Sequence, residues 1–175
     1  LISRYYYMYN ILTCLWIKGD LPPLQKECLR SWLRLGYKVN LHTYYPKSIK
    51  FFDDNLTIIK EDLKNREMNK NGNLPESDYW RFKYLFDNGG TWIDFDMYLL
   101  KRLPETDMII SSEHAKQIGA FKRYTDRTPN IGIMRFKQGD DLLQRVIKKI
   151  EILNKDGIAC NSFMKIFQKY VEKDE

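Results

Sequence analysis

Two aspartates separated by one residue, Asp94 and Asp96, are the side chains of this sequence best suited to bind a divalent cation. They follow an apolar stretch that begins at Trp92 and has the length of a buried strand. In an extended strand, residues two apart point to the same face about 6–7 Å from each other, so both carboxylates are expected to address one point. Magnesium and manganese favour such oxygen ligands together with substrate phosphates. The pair therefore indicates a site for a cation and a phosphate-bearing ligand.

A second charged pair, Asp78 and Arg81, lies near the start of the predicted helix that precedes the two aspartates. Residues three apart in a helix share a face, so these two side chains are expected to lie side by side. The planar guanidinium can bind a phosphate or sugar hydroxyls through two parallel hydrogen bonds. By their spacing alone, however, Asp78 and Arg81 suit an ordinary surface ion pair equally well, and D-x-D also occurs in turns and calcium-binding loops.

The elements that must position these residues are an alternation of strands and helices. The apolar run before Lys18-Gly19-Asp20 predicts a first strand, and a helix follows from Pro22-Pro23 to the terminator Gly36. A helix capped by Ser77 or Asp78 ends at Asn88-Gly89-Gly90 and leads into a strand over Trp92–Phe95 that runs into Asp96. The remaining predicted strands are 37–44, 58–59, 108–111 and 131–136, and the remaining helices are 140–154 and 160–171. This order predicts an α/β fold with a parallel sheet.

Composition limits the class of protein. The 175 residues suit a single domain over 1–175, although the chain opens on Leu1 as a fragment of a longer protein would. No apolar run approaches the ~20 residues that span a bilayer. The three cysteines cannot all pair, which favours a reducing compartment, and we expect a cytoplasmic protein. The formal charge of +6 favours anionic partners, including a membrane surface for peripheral association.

The segment from Ser77 to Asp96 resembles the signature of the sugar-transferases that carry a D-x-D motif, S-D-x-x-R-x-x-x-L-x-x-x-G-G-x-[YW]-x-D-x-D. That group includes initiating α-mannosyltransferases of the yeast type, capsular-polysaccharide transferases and the glucosylating domains of large clostridial toxins. A second stretch, from Leu15 to Gly19, resembles the W-I-G-G strand end of the same family, with Lys18 in place of the first glycine. The resemblance implies a GT-A type nucleotide-binding sandwich with a central, mostly parallel sheet flanked by helices.

The resemblance also implies roles for individual residues. Asp94 would contact the ribose and the water shell of a Mn²⁺ or Mg²⁺ ion, and Asp96 would bind that ion directly. Asp78 would bind hydroxyls of the donor sugar, and Arg81 would contact the same sugar or a phosphate. The remaining candidates are Trp16 as a stacking partner of the nucleobase, Trp92 in the lining of the donor pocket, and Asn130 in contact with donor or acceptor.

The implied activity is transfer of a hexose from a nucleotide-sugar to a glycan or a lipid-linked acceptor, with retention of configuration. Trp16 and the toxin-like strand end favour a UDP-sugar over a GDP-sugar, and no nucleic acid partner is expected. Two alternatives stay open at this point: a metal-dependent phosphoryl-transfer enzyme of the nuclease or polymerase type, and an inactive nucleotide-sugar-binding module. The sequence departs from many GT-A enzymes in having no histidine after His114 to complete a metal shell.

Overall fold

The computed structural model describes residues 8–62, 76–113, 128–155 and 163–174, and these ranges contain one six-stranded sheet. The strands are β1 (Ile11–Trp16), β2 (Lys38–Thr43), β3 (Leu56–Lys60), β4 (Gly90–Ile93), β5 (Ile109–Glu113) and β6 (Thr128–Phe136). The helices are α1 (Pro23–Arg34), α2 (Glu76–Asn88), α3 (Asp141–Lys155) and α4 (Phe163–Asp174), and a short 3₁₀ helix covers Pro46–Ser48.

The order of the strands across the sheet is β3-β2-β1-β4-β6-β5. The first four strands in that order are parallel, whereas β6 pairs antiparallel with both of its neighbours, β4 and β5. Five of the six strands therefore run in one direction, which confirms the predicted α/β architecture with a mostly parallel sheet. Because β6 alone is reversed, its first residues reach the same edge of the sheet as the last residues of β1 and β4.

The turns at the ends of two helices depend on residues identified in the sequence. Pro23 is the first residue of α1, where a missing backbone N–H is tolerated, and Gly36 ends the helix with φ of +78°. Gly89 and Gly90, with φ of +68° and +105°, form the tight connection from α2 to β4. A side chain at Gly89 would also collide with the backbone of Gln138. The predicted role of both glycines as turn residues is confirmed.

Separate apolar cores cover the two faces of the sheet. On one face, α1 packs through Cys28, Leu29 and Trp32 against β1, β2 and the segment after β4. On the other face, α2, α3 and α4 pack together over β4 and β6, with Phe82, Val146 and Phe167 fully buried. Both layers exclude water from the strands between them, so the sheet is a rigid support for residues at its edges.

Two local predictions are wrong. β4 ends at Ile93, and the backbone N–H of Met97 donates to the carbonyl of Asp94 at 3.1 Å, so Asp94–Met97 is a turn rather than extended strand. The described part of α2 begins at Glu76, which places Ser77 and Asp78 inside the helix and not before it as a cap. Local spacing could not reveal either result, because an apolar strand followed by alternating acids fits a longer strand equally well.

Two further observations concern the cysteines and the lengths of the helices. Cys14 and Cys28 are both buried and free. Within the described ranges, no helix is both long and apolar enough to cross a membrane.

Candidate active site

Arg81 lies at the centre of a cluster of charged side chains at the edge of the sheet where β4 ends. Arg81 is only 5% exposed, and its Nη2 donates to Asp78 Oδ1 at 2.8 Å. Its Nη1 donates both to Asp94 Oδ2 at 2.9 Å and to the carbonyl of Ile131 at 2.8 Å. One guanidinium thus connects α2, the turn after β4, and β6. The structure brings together Asp78, Arg81 and Asp94, which the sequence placed in one candidate site.

Trp92 fixes the other oxygen of Asp94. Its indole N–H donates to Asp94 Oδ1 at 2.9 Å, and the Arg81 guanidinium stacks 5.0 Å from the centre of its ring. The Trp92 residue is only 1% exposed, because Trp80 of α2 covers it at a ring separation of 5.6 Å. Trp92 therefore contacts the site through the Asp94 carboxylate and the guanidinium. The part of its ring that could line a donor pocket is small.

Burial affects the protonation of the two acids bound by Arg81. It raises the pKa of the Asp94 carboxyl above its ordinary value, and the nearby Arg81 charge and the Trp92 hydrogen bond oppose that shift. Burial likewise raises the pKa of Asp78, again against the effect of Arg81. The guanidinium thus favours the charged state of both carboxylates in a place that otherwise disfavours it.

Asp96 lies in a different environment from Asp94. It is exposed, and none of the residues described in the structure hydrogen-bonds to its carboxylate. Phe95, between the two acids, is buried against Trp16 and Trp32 on the α1 face of the sheet, which confirms that it packs away from Asp94. The turn therefore presents one carboxylate already engaged by the protein and one that is open to a ligand.

The charges of these residues do not cancel. Asp78, Asp94 and Asp96 supply three carboxylates, and Arg81 supplies one cation, so the four residues leave two negative charges when all are ionised. A divalent cation would neutralise that excess, and carboxylate oxygens are the donors that Mg²⁺ and Mn²⁺ prefer. The residues therefore fit the implied metal, with Asp96 as the accessible oxygen donor. The described ranges contain no group of three or more His, Cys, Asp or Glu side chains arranged to hold an ion.

The reversed direction of β6 brings Asn130 to the same place. The backbone N–H of Asp94 donates to the carbonyl of Gly132 at 2.8 Å, and Asn130 Oδ1 accepts from the N–H of Gly132 at 2.5 Å. Asn130 is buried, and its own carbonyl accepts from the hydroxyl of Ser111. Asn130 thus lies two residues from the strand position that anchors the D-x-D turn.

Gly132 is a site residue that was not predicted from the sequence. A side-chain carbon at this position would stand 2.5 Å from Met97 Cε, 2.9 Å from Asn130 Oδ1 and 3.6 Å from Asp94 Oδ2. A side chain at this position would therefore displace Met97 and crowd the Asn130 oxygen that accepts from the Gly132 N–H. The signal was available, because a lone glycine between Ile131 and Ile133 in a strand pattern indicates a close backbone approach.

Trp16 is half-buried at the end of β1, next to the D-x-D turn. Its indole N–H donates to the carbonyl of Gly19 at 2.8 Å, and its ring meets Phe95 edge-on with centroids 5.5 Å apart. Those contacts fix the orientation of the indole and leave part of it exposed. All seven predicted site residues thus lie at the edge of the sheet where β1 and β4 end, or on the stretch of α2 packed against that edge.

A buried histidine beneath α2 was also not predicted as part of this region. His42, near the end of β2, shares a hydrogen bond with Glu61 between Nδ1 and Oε1 at 2.6 Å, and its ring packs against Trp80 and Tyr84. Its Nε2 is buried without a hydrogen-bond partner among the described residues. Burial lowers the pKa of His42, and the hydrogen bond to Glu61 opposes that shift. Its Trp80 contact links it to the residues next to Arg81.

Comparisons with known proteins place this arrangement in a family. The model of the family described as "Glycosyltransferase sugar-binding region containing DXD motif" matches residues 22–124, more than half of the chain. That range includes Asp78, Arg81, Trp92, Asp94 and Asp96, but neither Trp16 nor Asn130. No curated protein matches the sequence.

Among solved structures, one described as PaToxG glycosyltransferase is similar to this chain with a TM-score of 0.67. The match covers 99% of this chain and 75% of that chain at 12% sequence identity. At that identity the likeness shows the fold alone, and it agrees with the α/β sheet described above. Given the family match over its D-x-D turn and the helix before it, the chain belongs to the glycosyltransferases with a DXD-containing sugar-binding region.

Proposed function

We propose that the chain is a metal-dependent hexosyltransferase, which moves a hexose from a nucleotide-sugar to a glycan or a lipid-linked acceptor. The observation that carries this proposal is the cluster of Asp78, Arg81 and Asp94 beside an exposed Asp96. These four residues carry two more negative charges than Arg81 neutralises, and Asp96 presents one of them at an exposed edge where a cation can bind. The end of a parallel strand is also where open α/β sheets bind their ligands.

The proposed metal site consists of Asp96, with Asp94 behind it. Asp96 would bind Mn²⁺ or Mg²⁺ directly, because its carboxylate is exposed and open. Both oxygens of Asp94 already accept hydrogen bonds, so Asp94 would act through its remaining lone pairs on the ribose or on water bound to the ion. When bound, the cation would neutralise negative charge that develops on the departing nucleoside diphosphate.

Asp78 and Arg81 are proposed to bind the donor sugar. Arg81 is held on three sides, so its remaining N–H groups have a fixed direction relative to the D-x-D turn. Asp78 accepts from Arg81 through Oδ1, and its other oxygen, Oδ2, can accept a hydrogen bond from a sugar hydroxyl. Because these donors and acceptors are already held in place, they can orient a substrate without themselves losing conformational freedom when it reacts.

The finer features of the proposal concern the base, the stereochemistry and the acceptor. Trp16 is proposed to stack on the base, because its half-buried ring contacts the D-x-D turn through Phe95. The preference for a UDP-sugar and retention of configuration follow from the resemblance of the motifs. Asn130 is proposed to contact donor or acceptor from β6. The family assignment favours glycosyl transfer over the phosphoryl-transfer alternative, and nothing in the described residues specifically favours an inactive module.

The proposal is tested by incubating the protein with Mn²⁺ and a panel of UDP- and GDP-sugars and measuring slow release of free sugar. Asp96→Asn is expected to lower Mn²⁺-dependent hydrolysis about a hundredfold or more, since the ion loses its accessible charged ligand. Asp54→Asn, an exposed acid in the loop before β3, is the matched control and should hydrolyse at the original rate.

Binding measurements separate loss of the metal from loss of the fold. Calorimetric titration of UDP should show a Mn²⁺-dependent gain in affinity that Asp96→Asn abolishes while the thermal unfolding temperature stays within a few degrees. If no nucleotide-sugar binds or turns over, either in this chain or in a longer natural chain that contains it, the transferase proposal is wrong. Equal hydrolysis by Asp96→Asn and the original protein would remove the proposed metal site.

A further inference from the structure

A groove on the α1 face of the molecule is separate from the candidate active site. It runs between the outer surface of α1 and the loop that leads to β3, and has a volume of about 520 Å³. Its lining is made of three cationic residues, one acid and three apolar residues: Arg30, Leu33, Arg34, Lys50, Phe51, Phe52 and Asp53. That volume is in the range of sites that bind small ligands.

Contacts at the groove hold two of its cationic side chains and the loop that carries the third. The guanidinium of Arg34 donates to the Tyr98 hydroxyl at 2.8 Å, and the guanidinium of Arg30 lies 5.5 Å from the centre of the Phe51 ring. The backbone N–H of Lys50 donates to the Asp20 carboxylate at 2.8 Å, which holds the loop against the start of α1. The loop and the two arginine side chains are therefore held in place on this side of the groove.

The charge of the groove is positive. Its one acid, Asp53, accepts a hydrogen bond from the backbone N–H of Asn55 at 2.9 Å and so faces its own loop. Arg30 is paired with Glu27, but neither Arg34 nor Lys50 has a carboxylate partner among the described residues. Two cations therefore face the groove without a compensating acid, and the groove complements an anion.

An aromatic ring stands beside these cations. Phe52 is 87% exposed, the most exposed of the large hydrophobic side chains in the described ranges. An apolar ring is more stable when it is covered, and the C–H face of a sugar ring covers an aromatic side chain while its hydroxyls stay in water. A guanidinium fork at the same place binds carboxylate or phosphate through paired hydrogen bonds.

From these features we propose that the groove is a saccharide-binding site for glycans that carry carboxylate or phosphate groups. Phe52 stacks on a sugar ring, and Arg34 and Lys50 bind its acidic substituent. One exposed aromatic ring beside two cations matches a single acidic sugar unit, which offers an apolar ring face and an anionic group to the same place. The neutral face of the saccharide contacts Phe52, and the charged group lies deeper, toward α1.

Two residues that hold the groove are close in sequence to residues of the candidate active site. Asp20, which binds the Lys50 backbone, directly follows Gly19, the residue whose carbonyl accepts the Trp16 indole N–H. Tyr98, which binds Arg34, is two residues from Asp96. A polymeric acidic glycan held in the groove would be tethered to the enzyme as an acceptor. That role of the ligand rests on the proposed function, whereas the binding itself does not.

The test uses the whole chain and two hexasaccharides of equal length: a hyaluronan hexasaccharide, which carries carboxylates, and neutral chitohexaose. Calorimetric titration should show saturable binding of the hyaluronan probe, weakened by added salt, and much weaker binding of chitohexaose. Phe52→Ala and Arg34→Gln should each weaken hyaluronan binding about tenfold. Ile152→Ala and Lys148→Gln change an exposed apolar residue and an exposed cation on α3, across the sheet, and should bind as the original protein does.

Several outcomes overturn the proposal. It is wrong if the hyaluronan probe does not bind, or if it binds equally to Phe52→Ala, Arg34→Gln and the α3 controls. It is also wrong if the protein sediments with vesicles of phosphatidylcholine and phosphatidylglycerol in a Phe52-dependent manner while neither saccharide binds, since the surface would then be a membrane contact. Mn²⁺-dependent UDP binding is measured in parallel. If UDP fails to bind and hyaluronan binding persists, the acceptor role and the proposed function fall, but the saccharide site stands.

Discussion

Two buried arginines lie at opposite ends of the β4–β6 strand pair, and their surroundings differ in one respect. Arg81, where β4 ends, is surrounded by the carboxylates of Asp78 and Asp94. Arg135, which pairs with Thr91 near the start of β4, is fully buried, and among the described residues its hydrogen-bond acceptors are all neutral oxygens. Its acceptors are the Thr91 hydroxyl and the carbonyls of Pro104 and Thr106.

The difference between the two surroundings indicates different roles. Arg135 Nη2 has no hydrogen-bond partner among the described residues, and the Tyr9 ring lies 4.9 Å from its guanidinium. Burial lowers the pKa of Arg135, and no carboxylate hydrogen-bonds to it within the described ranges. It fastens the 104–106 segment to the sheet. Arg81 instead has more acid around it than it can neutralise, and that excess is available to a ligand. Burial of a cation therefore does not separate the two arginines, whereas the excess of acid around Arg81 does, and the proposed metal site would use that excess.

The largest expected effect comes from Arg81→Gln. The substitution leaves two partly buried carboxylates without their cation, so the free energy of unfolding should fall by about 3 kcal/mol at pH 7. Hydrolysis of the nucleotide-sugar should fall about a hundredfold or more in the protein that remains folded, because Asp94 and Asp78 lose the guanidinium that both of them bind. Urea denaturation and a hydrolysis assay corrected for the folded fraction measure the two effects. Unchanged hydrolysis would show that the cluster serves stability alone.

Arg135→Met should lower stability without lowering activity. It removes the donors for the carbonyls of Pro104 and Thr106, and the free energy of unfolding should fall by about 2 kcal/mol. Hydrolysis per folded molecule should stay within about twofold of the original rate, since the residue lies at the other end of β4 from Asp94. A loss of turnover comparable to that of Arg81→Gln would contradict the distinction between the two arginines.

His42 is a third buried basic side chain. Unlike the two arginines, it can lose its positive charge by releasing a proton. Its pKa is lowered in the folded chain, so below about pH 6.5 the unfolded chain binds a proton that folded His42 does not. The free energy of unfolding should therefore decrease as the pH falls from 7 toward 5, by at most about 1.4 kcal/mol per pH unit for this residue.

The variant His42→Gln isolates this contribution. Its stability should depend less on pH in that window than the stability of the original protein. The carboxyls of Asp78 and Asp94 and the other histidine are present in both proteins, so their contributions cancel in the comparison. Urea denaturation at several pH values supplies the two slopes. Parallel slopes would mean that His42 accepts a proton as readily in the folded chain as in the unfolded one.

The sequence predicted much of the fold because its strongest signals are local. Pro23 and Gly36 mark the ends of α1, and the paired glycines Gly89 and Gly90 mark the start of β4. The periodicity of apolar residues located the strands and helices within a few residues. The reversed direction of β6 was not evident, because strand direction depends on pairing partners far apart in the chain rather than on the residues of the strand itself.

The composition of the site was easier to predict than its geometry. The motif identified Asp78, Arg81, Asp94 and Asp96 as candidate site residues. The spacing of Asp94 and Asp96, however, predicted two equivalent carboxylates on one face of a strand. The turn after Ile93 makes them unequal, because one is bound by Arg81 and Trp92 and the other is open. That inequality arises from contacts across the sheet, and the spacing of residues along the chain carries no information about it.

The antiparallel course of β6 has a consequence for the order in which the molecule can form. The first βαβ unit, β1-α1-β2, joins strands close in sequence, so it can assemble from a short length of chain. The backbone N–H of Asp94, by contrast, meets its acceptor on Gly132 only after a strand much further along the chain has paired with β4. Closing that longer loop carries a larger entropic cost. We therefore expect the acid-bearing turn to reach its final geometry after the α1 half has formed.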